Sequence, residues 1–200
     1  MKNYNPKNRY DFSVIEQWVS PNAKVLDLGC GDGMLLNYLR THKNTTGFGI
    51  EKNKDNWLLS LKNGLDVIQM DLESGLAGFE DNSFDVVILS RTIQSMRNIE
   101  SIMNEMQRVA KVIIVTFPNF GYWKNRLQIL KGTMPISKEL PFSWFNTPNI
   151  HLCTIHDFDN FCNSHKIKVV GKHIITDKKA IKFYPNLFGA LALYLSLIHI

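Results

Sequence analysis

Cysteine is scarce in this 200-residue chain: Cys30, Cys153 and Cys162 are the only three. The odd count and the absence of paired short spacings exclude a disulfide framework and a zinc site, and point to a reducing, cytoplasmic setting. Long apolar runs are missing too. The most apolar stretch, NLFGALALYLSLI at 186–198, is shorter than the roughly 20 residues a membrane span requires, so it reads as a buried final strand. Nothing in the polar opening MKNYNPKNRYDF resembles a signal peptide. No linker-like or low-complexity stretch divides the sequence, which reads as a single domain over 1–200. Clustered positive charge is also absent. The formal net charge is +5, but Lys2, Lys7, Lys24, Lys52, Lys111, Lys138 and Lys178 are scattered, which argues for a solvated surface and against nucleic-acid binding. The terminal SLIHI, 196–200, resembles translated sequencing-adapter read-through and carries no functional weight.

What is present is concentrated in VLDLGCGDG, residues 25–33. Val25, Leu26 and Leu28 suit a buried strand. Gly29, Gly31 and Gly33 permit a tight turn and close approach of backbone to a ligand. Asp32 and the apolar Met34, Leu35, Leu36 and Leu39 suit the start and inner face of a helix. A dinucleotide loop of the form G-x-G-x-x-G needs glycine where Met34 stands. Asp27 and Asp32 would repel a pyrophosphate but favour the sulfonium and ammonium of S-adenosylmethionine or the ammonium of S-adenosylhomocysteine.

Two carboxylates downstream fit the same cofactor. Glu51 ends the predicted second strand, TGFGIE, about 20 residues beyond the glycine loop, the offset at which an acid reaches ribose hydroxyls. Asp71, in VIQMDL at 67–72, ends the predicted third strand where it would meet an adenine amino group; alternatively it caps the segment that follows. The predicted cofactor set is Asp27, Gly29, Cys30, Gly31, Gly33, Glu51, Asp71, Leu72 and Ser90. Cys30 precedes a helix, but the position chiefly needs a small packed residue.

Strand and helix signals alternate from residue 12 to 117. A short helix over FSVIEQWV stops near Pro21, a fourth strand covers 84–90, a helix covers about 99–109, and a fifth strand covers 111–117. The pattern predicts an α/β, Rossmann-like fold with a mostly parallel, doubly wound sheet. The core spans about 22–118 and 155–198. Between them lies an insertion, 119–154, rich in aromatics and prolines, where regular strands are not expected. It would serve as a lid over the crevice or as a partner surface. A helix starting near His156 or Asp157, a strand at IKVVGKH and the apolar terminal strand complete the sheet.

VLDLGCGDG, GFGIE, FDVVILSRTIQ, FPNFGYWKNR and TPNIHLCTIHDF, in this order, resemble the methionine biosynthesis protein MetW family, which has the class I methyltransferase fold. The similarity runs from about residue 9 to 195. FPNFGYW and TPNIHLCTI are its most specific parts, and Arg91 departs from the glutamine of the family's SRTIQ segment. The resemblance implies a role in methionine synthesis beside a homoserine O-acyltransferase, without a defined methyl acceptor.

Methyl transfer asks a protein mainly to align donor and acceptor, with a base if the nucleophile is protonated, and needs no metal. Candidate groups are Ser90, Arg91, Thr92 and Gln94 after the fourth strand, Asn119 and Tyr122 after the fifth, and His151 and His156 in the insertion region. None forms a diagnostic catalytic pair. FPNF at 117–120 resembles the proline motif of amine methyltransferases, but it follows the fifth strand rather than the fourth, so a turn feeding the insertion is preferred. Trp123, Phe142, Trp144 and Phe145 suit an acceptor pocket, a lid anchor or a docking surface. Arg126 suits a surface ion pair or a carboxylate site. The resemblance favours an accessory of the acyltransferase that binds S-adenosylmethionine; the alternative is a methyltransferase for a small or lipid-like acceptor.

Overall fold

A computed structural model describes residues 9–197. Eight strands form one sheet: β1 (Lys24–Leu28), β2 (Thr46–Glu51), β3 (Val67–Gln69), β4 (Phe84–Ser90), β5 (Ala110–Pro118), β6 (Lys168–Thr176), β7 (Lys179–Ala180) and β8 (Leu191–Leu197). Their order across the sheet is β3-β2-β1-β4-β5-β8-β6-β7. The first five are mutually parallel, and β8 enters antiparallel between β5 and β6. This is the mostly parallel α/β sheet predicted.

The central parallel strands β1, β4 and β5 are mostly apolar and buried because helices cover both faces. Within β4, Val87 and Leu89 enter one core layer while Val86 and Ile88 enter the other. The first layer receives Met103 and Met106 of α4 (Ile99–Val109) and Phe158 of α6 (Ile155–Ser164). The second receives Ile15 of α1 (Tyr10–Trp18) and Leu36 and Leu39 of α2 (Met34–Lys43). Truncating Ile88 or Leu89 to alanine would cost about 2–5 kcal/mol.

Several elements differ from the sequence expectation. The third strand stops at Gln69, before Asp71, whose side chain accepts from the Glu73 N–H and caps a single 3-10 turn, Leu72–Ser74. The stretch 186–198 is not one strand. Tyr184 sits at φ 41° and Pro185 opens a four-residue helix, α7 (Pro185–Phe188); only Leu191 onward is extended. Proline preset at the first helical position explains the break. Gly189 is required there, since a methyl group on it would lie 2.1 Å from Ile174 Cγ2. Ser196 and Leu197 of the terminal SLIHI pair with Ile113 and Val112 in the sheet, while 198–200 lie outside the described residues, as do 1–8 of the polar opening. Helices α3 (Lys54–Lys62), capped by Asn53, and α5 (Trp123–Leu130), inside the insertion, stand where the sequence predicts no regular element. Helix α6 begins at Ile155 because Thr154 and Asp157 form a reciprocal capping box. Among the described residues no helix is long and apolar enough to cross a membrane.

Candidate functional site

The carboxyl end of β1 feeds straight into the glycine loop. Gly29, Gly31 and Gly33 all have positive φ, at 70°, 60° and 77°. The N–H groups of Gly29 and Cys30 both donate to the Ile50 carbonyl, at 2.8 and 3.0 Å, which ties the loop to the end of β2. The three glycines do different work. A methyl group on Gly29 would lie 2.7 Å from the Thr92 side chain, and one on Gly33 would lie 2.3 Å from Leu65 Cδ1. One on Gly31 would meet no protein atom within 4 Å, because Gly31 faces an open cleft.

Glu51 closes the other side of that loop. Its Oε2 accepts from the Gly31 N–H at 2.8 Å and its Oε1 from the Asn53 N–H at 2.6 Å. Asp27 lies behind the loop, buried, and its Oδ1 has no hydrogen-bond partner. Burial, reinforced by the Glu51 charge and partly opposed by Arg9, pushes the Asp27 carboxyl up to about 7. A cation in the cleft would reverse that by favouring the carboxylate.

The cleft lies over the carboxyl ends of the parallel strands, the position where open α/β sheets bind ligands. It has a volume of about 1270 Å³ and is lined by Gly29, Gly31, Glu51, Asp71 and Leu72 from the predicted set. Cys30, Gly33, Asp27 and Ser90 do not line it. Cys30 packs its thiol against Gly49, and burial beside Asp27 and Glu51 pushes the thiol well above its ordinary range. That supports the packing role and leaves only its backbone near the loop. Ser90 Oγ shares a hydrogen bond with Thr116 Oγ1 at 3.2 Å. Asp71 does reach the cleft, but its Oδ2 pairs with Lys52 at 2.6 Å; the Lys52 bond and the Glu73 N–H hold it below the usual carboxylate range.

The rim brings in residues that sequence reasoning missed: Lys52, Arg97, Pro148 and Ile150. Arg91 and Phe142, considered earlier in other roles, join them. Arg91, at φ 56°, reaches Asp11 Oδ2 at 3.3 Å and Glu139 Oε2 at 2.6 Å, the latter as an ion pair not aligned as a hydrogen bond. Asp11 is buried. Burial alone would raise its carboxyl, but bonds from Arg9 and the charge of Arg91 outweigh it and hold the group below its ordinary value. The arginine therefore links α1 to the insertion across the edge of the cleft.

The four weak catalytic candidates do not converge on the cleft. Asn119 is fully buried: its Nδ2 donates to the Gly189 and Asn186 carbonyls, and its Oδ1 accepts from the Gly121 and Ile155 N–H groups. It is a structural hub for the turn after β5. Tyr122 is buried at the start of α5. His151 lines a separate cavity of about 480 Å³ between the 93–100 segment and α6, and His156 is exposed on α6. Arg126 makes a local bond instead of an ion pair, donating from Nε to the Gly121 carbonyl at 2.6 Å. Among the described residues no group of three or more His, Cys, Asp or Glu side chains is placed to hold a metal ion.

The fold is shared with known proteins. The chain resembles an S-adenosylmethionine-dependent methyltransferase from Mesorhizobium loti at a TM-score of 0.72 and 14% identity, covering 96% of this chain and all of that one. A methyltransferase of the same cofactor class from Methanosarcina mazei matches at 0.67 and 18% identity, over 92% of this chain and 96% of that one. At such identities the likeness establishes the fold alone. By sequence, the chain is 39% identical over 157 residues, 74% of its length, to the bifunctional methionine biosynthesis protein MetXA/MetW of Rhodopirellula baltica. It spans a quarter of that longer relative. The family model for methionine biosynthesis protein MetW matches residues 9–196. The chain therefore belongs to the MetW family of methionine biosynthesis proteins.

Proposed function

We propose that this protein binds S-adenosylmethionine, or S-adenosylhomocysteine, and supports a homoserine O-acyltransferase in methionine synthesis. The observation that carries the accessory role is the Rhodopirellula relative, in which a MetW segment shares one chain with MetXA, the part to which we assign the acyltransferase activity. The cleft supports the cofactor. Gly31 leaves room for a ligand against its backbone, Glu51 supplies negative charge at the cleft, and Asp27, buried with its Oδ1 unpaired, would ionise when a sulfonium or an ammonium lies nearby. Glu51 would accept from ribose hydroxyls, Asp71 and Leu72 would flank the adenine, and Gly29 and Gly31 would contact the amino-acid end. The cofactor would supply a report of pathway end product to the partner. In this reading the chain is one cytoplasmic domain, with 119–154 inserted in its core.

The same cleft keeps a second reading, methyl transfer to a small or lipid-like acceptor, with the cofactor supplying the methyl group. The scattering of Asn119, Tyr122, His151 and His156 away from the cleft weighs against it.

Calorimetric titration with S-adenosylmethionine tests the cofactor assignment. Each charge-assisted bond from Glu51 is worth about 1.5–3 kcal/mol, so Glu51→Ala should weaken binding roughly ten-fold or more. Unchanged affinity in a variant that melts normally would overturn the assignment.

A further inference from the structure

The insertion presents apolar side chains on a scaffold that is already fixed. Gln128 of α5 holds the loop after it. Its Oε1 accepts from the Ile136 N–H at 3.0 Å, its Nε2 donates to the Ile136 carbonyl at 3.2 Å, and its own carbonyl accepts from the Thr133 N–H at 3.0 Å. The base of the insertion is pinned by Phe120 N–H donating to Cys153 O at 2.9 Å, and Pro135 and Leu140 are buried beneath it. Yet Leu130 is 82% exposed, Trp144 74% and Phe145 72%, the two aromatics meeting edge to face at 5.8 Å. A crevice of about 40 Å³ opens between Met134, Leu140, Phe142 and Trp144. Exposed aromatic side chains beside a small apolar crevice are the material of binding hot spots, because they bury much apolar area for few rotatable bonds.

Charge defines the rest of the surface. Residues 119–150 carry four cations, Lys124, Arg126, Lys131 and Lys138, against one carboxylate, Glu139, which Arg91 engages. The three lysines are exposed. Exposed apolar side chains on a segment of net positive charge fit a partner face that is apolar and acidic.

We infer that the 130–145 face of the insertion, centred on Trp144, Phe145 and Leu130, is the docking surface for the homoserine O-acyltransferase. This rests on the proposed accessory function. It also gives docking a route to the cleft, since Phe142, Pro148 and Ile150 of the same insertion line it and Glu139 holds Arg91 at its rim.

The test is calorimetric titration of the organism's own acyltransferase with the full chain, with Trp144→Ala/Phe145→Ala, with Leu130→Glu, and with Leu59→Glu as control. Leu59 is exposed on α3, which packs on β2 and β3 at the far edge of the sheet. Melting curves verify folding, and the two surface variants check each other should one fail to fold. The expected result is a loss of affinity of at least ten-fold for both surface variants, none for Leu59→Glu, and weaker association in salt for the wild type. Wild-type binding that survives both surface substitutions overturns the docking surface and leaves the accessory role standing. Absence of binding by the wild type overturns both together.

Discussion

Gly31 and Glu51 lie twenty residues apart in sequence and are joined by a 2.8 Å hydrogen bond from the glycine N–H to the carboxylate. The bond links the loop after β1 to the end of β2, so one acidic side chain both shapes the loop and borders the cleft. A second carboxylate, Asp27, stands behind them with one oxygen unpaired. Shape and charge at this crevice are therefore coupled, and they can be perturbed separately.

Asp27 should make stability depend on pH. Burial and the Glu51 charge raise its folded-state pKa from 3.8 to about 7. The folded chain then holds a proton that the unfolded chain releases near pH 4. The contribution is complete below that pH and is lost as pH rises through about 7. Asp27→Asn should accordingly gain stability relative to wild type between pH 5 and pH 8, read as the difference in Tm. A gap that does not change with pH would show that Asp27 is already ionised.

The glycines should separate backbone strain from ligand space. A positive φ costs an alanine about 1–2 kcal/mol. Gly31→Ala should pay little beyond that, because no protein atom stands in the way. It should nonetheless weaken S-adenosylmethionine binding at least ten-fold. Gly33→Ala drives a methyl group into Leu65 and Ser60 and should lose a further 1–3 kcal/mol or so of overpacking. Urea denaturation beside ligand titration checks both, and equal destabilisation by the two would contradict the assignment of space.

Arg91 should couple α1 to the insertion. In a double-mutant cycle of Asp11→Asn and Arg91→Gln, the two losses should fall short of additive by about 0.5–3 kcal/mol, measured by chemical denaturation. Strict additivity would mean that the 3.3 Å ion pair contributes nothing.

Much of this was legible in the residues. The apolar runs at 25–28 and 84–90 and the G-x-G-x-G spacing point to parallel strands and a ligand loop, because burial on both faces and positive φ leave few other sequences possible. The terminal strand was overextended since apolarity does not register where proline starts a helix. Helix α5 lies among aromatics and prolines that read as irregular chain. Asn119 and Tyr122 after the fifth strand and His151 in the insertion look alike in sequence as polar candidates; only packing reveals that Asn119 bonds backbone and that His151 faces a different cavity. The Asp11–Arg91–Glu139 connection joins three distant segments and has no local signature.

The central claim is tested most directly by homoserine acylation with the purified acyltransferase, alone and with this protein, each with and without S-adenosylmethionine. The account predicts faster acylation with the protein present, accompanied by a stable complex on size-exclusion chromatography, and a further change on adding the cofactor. Unchanged acylation with no complex would contradict it.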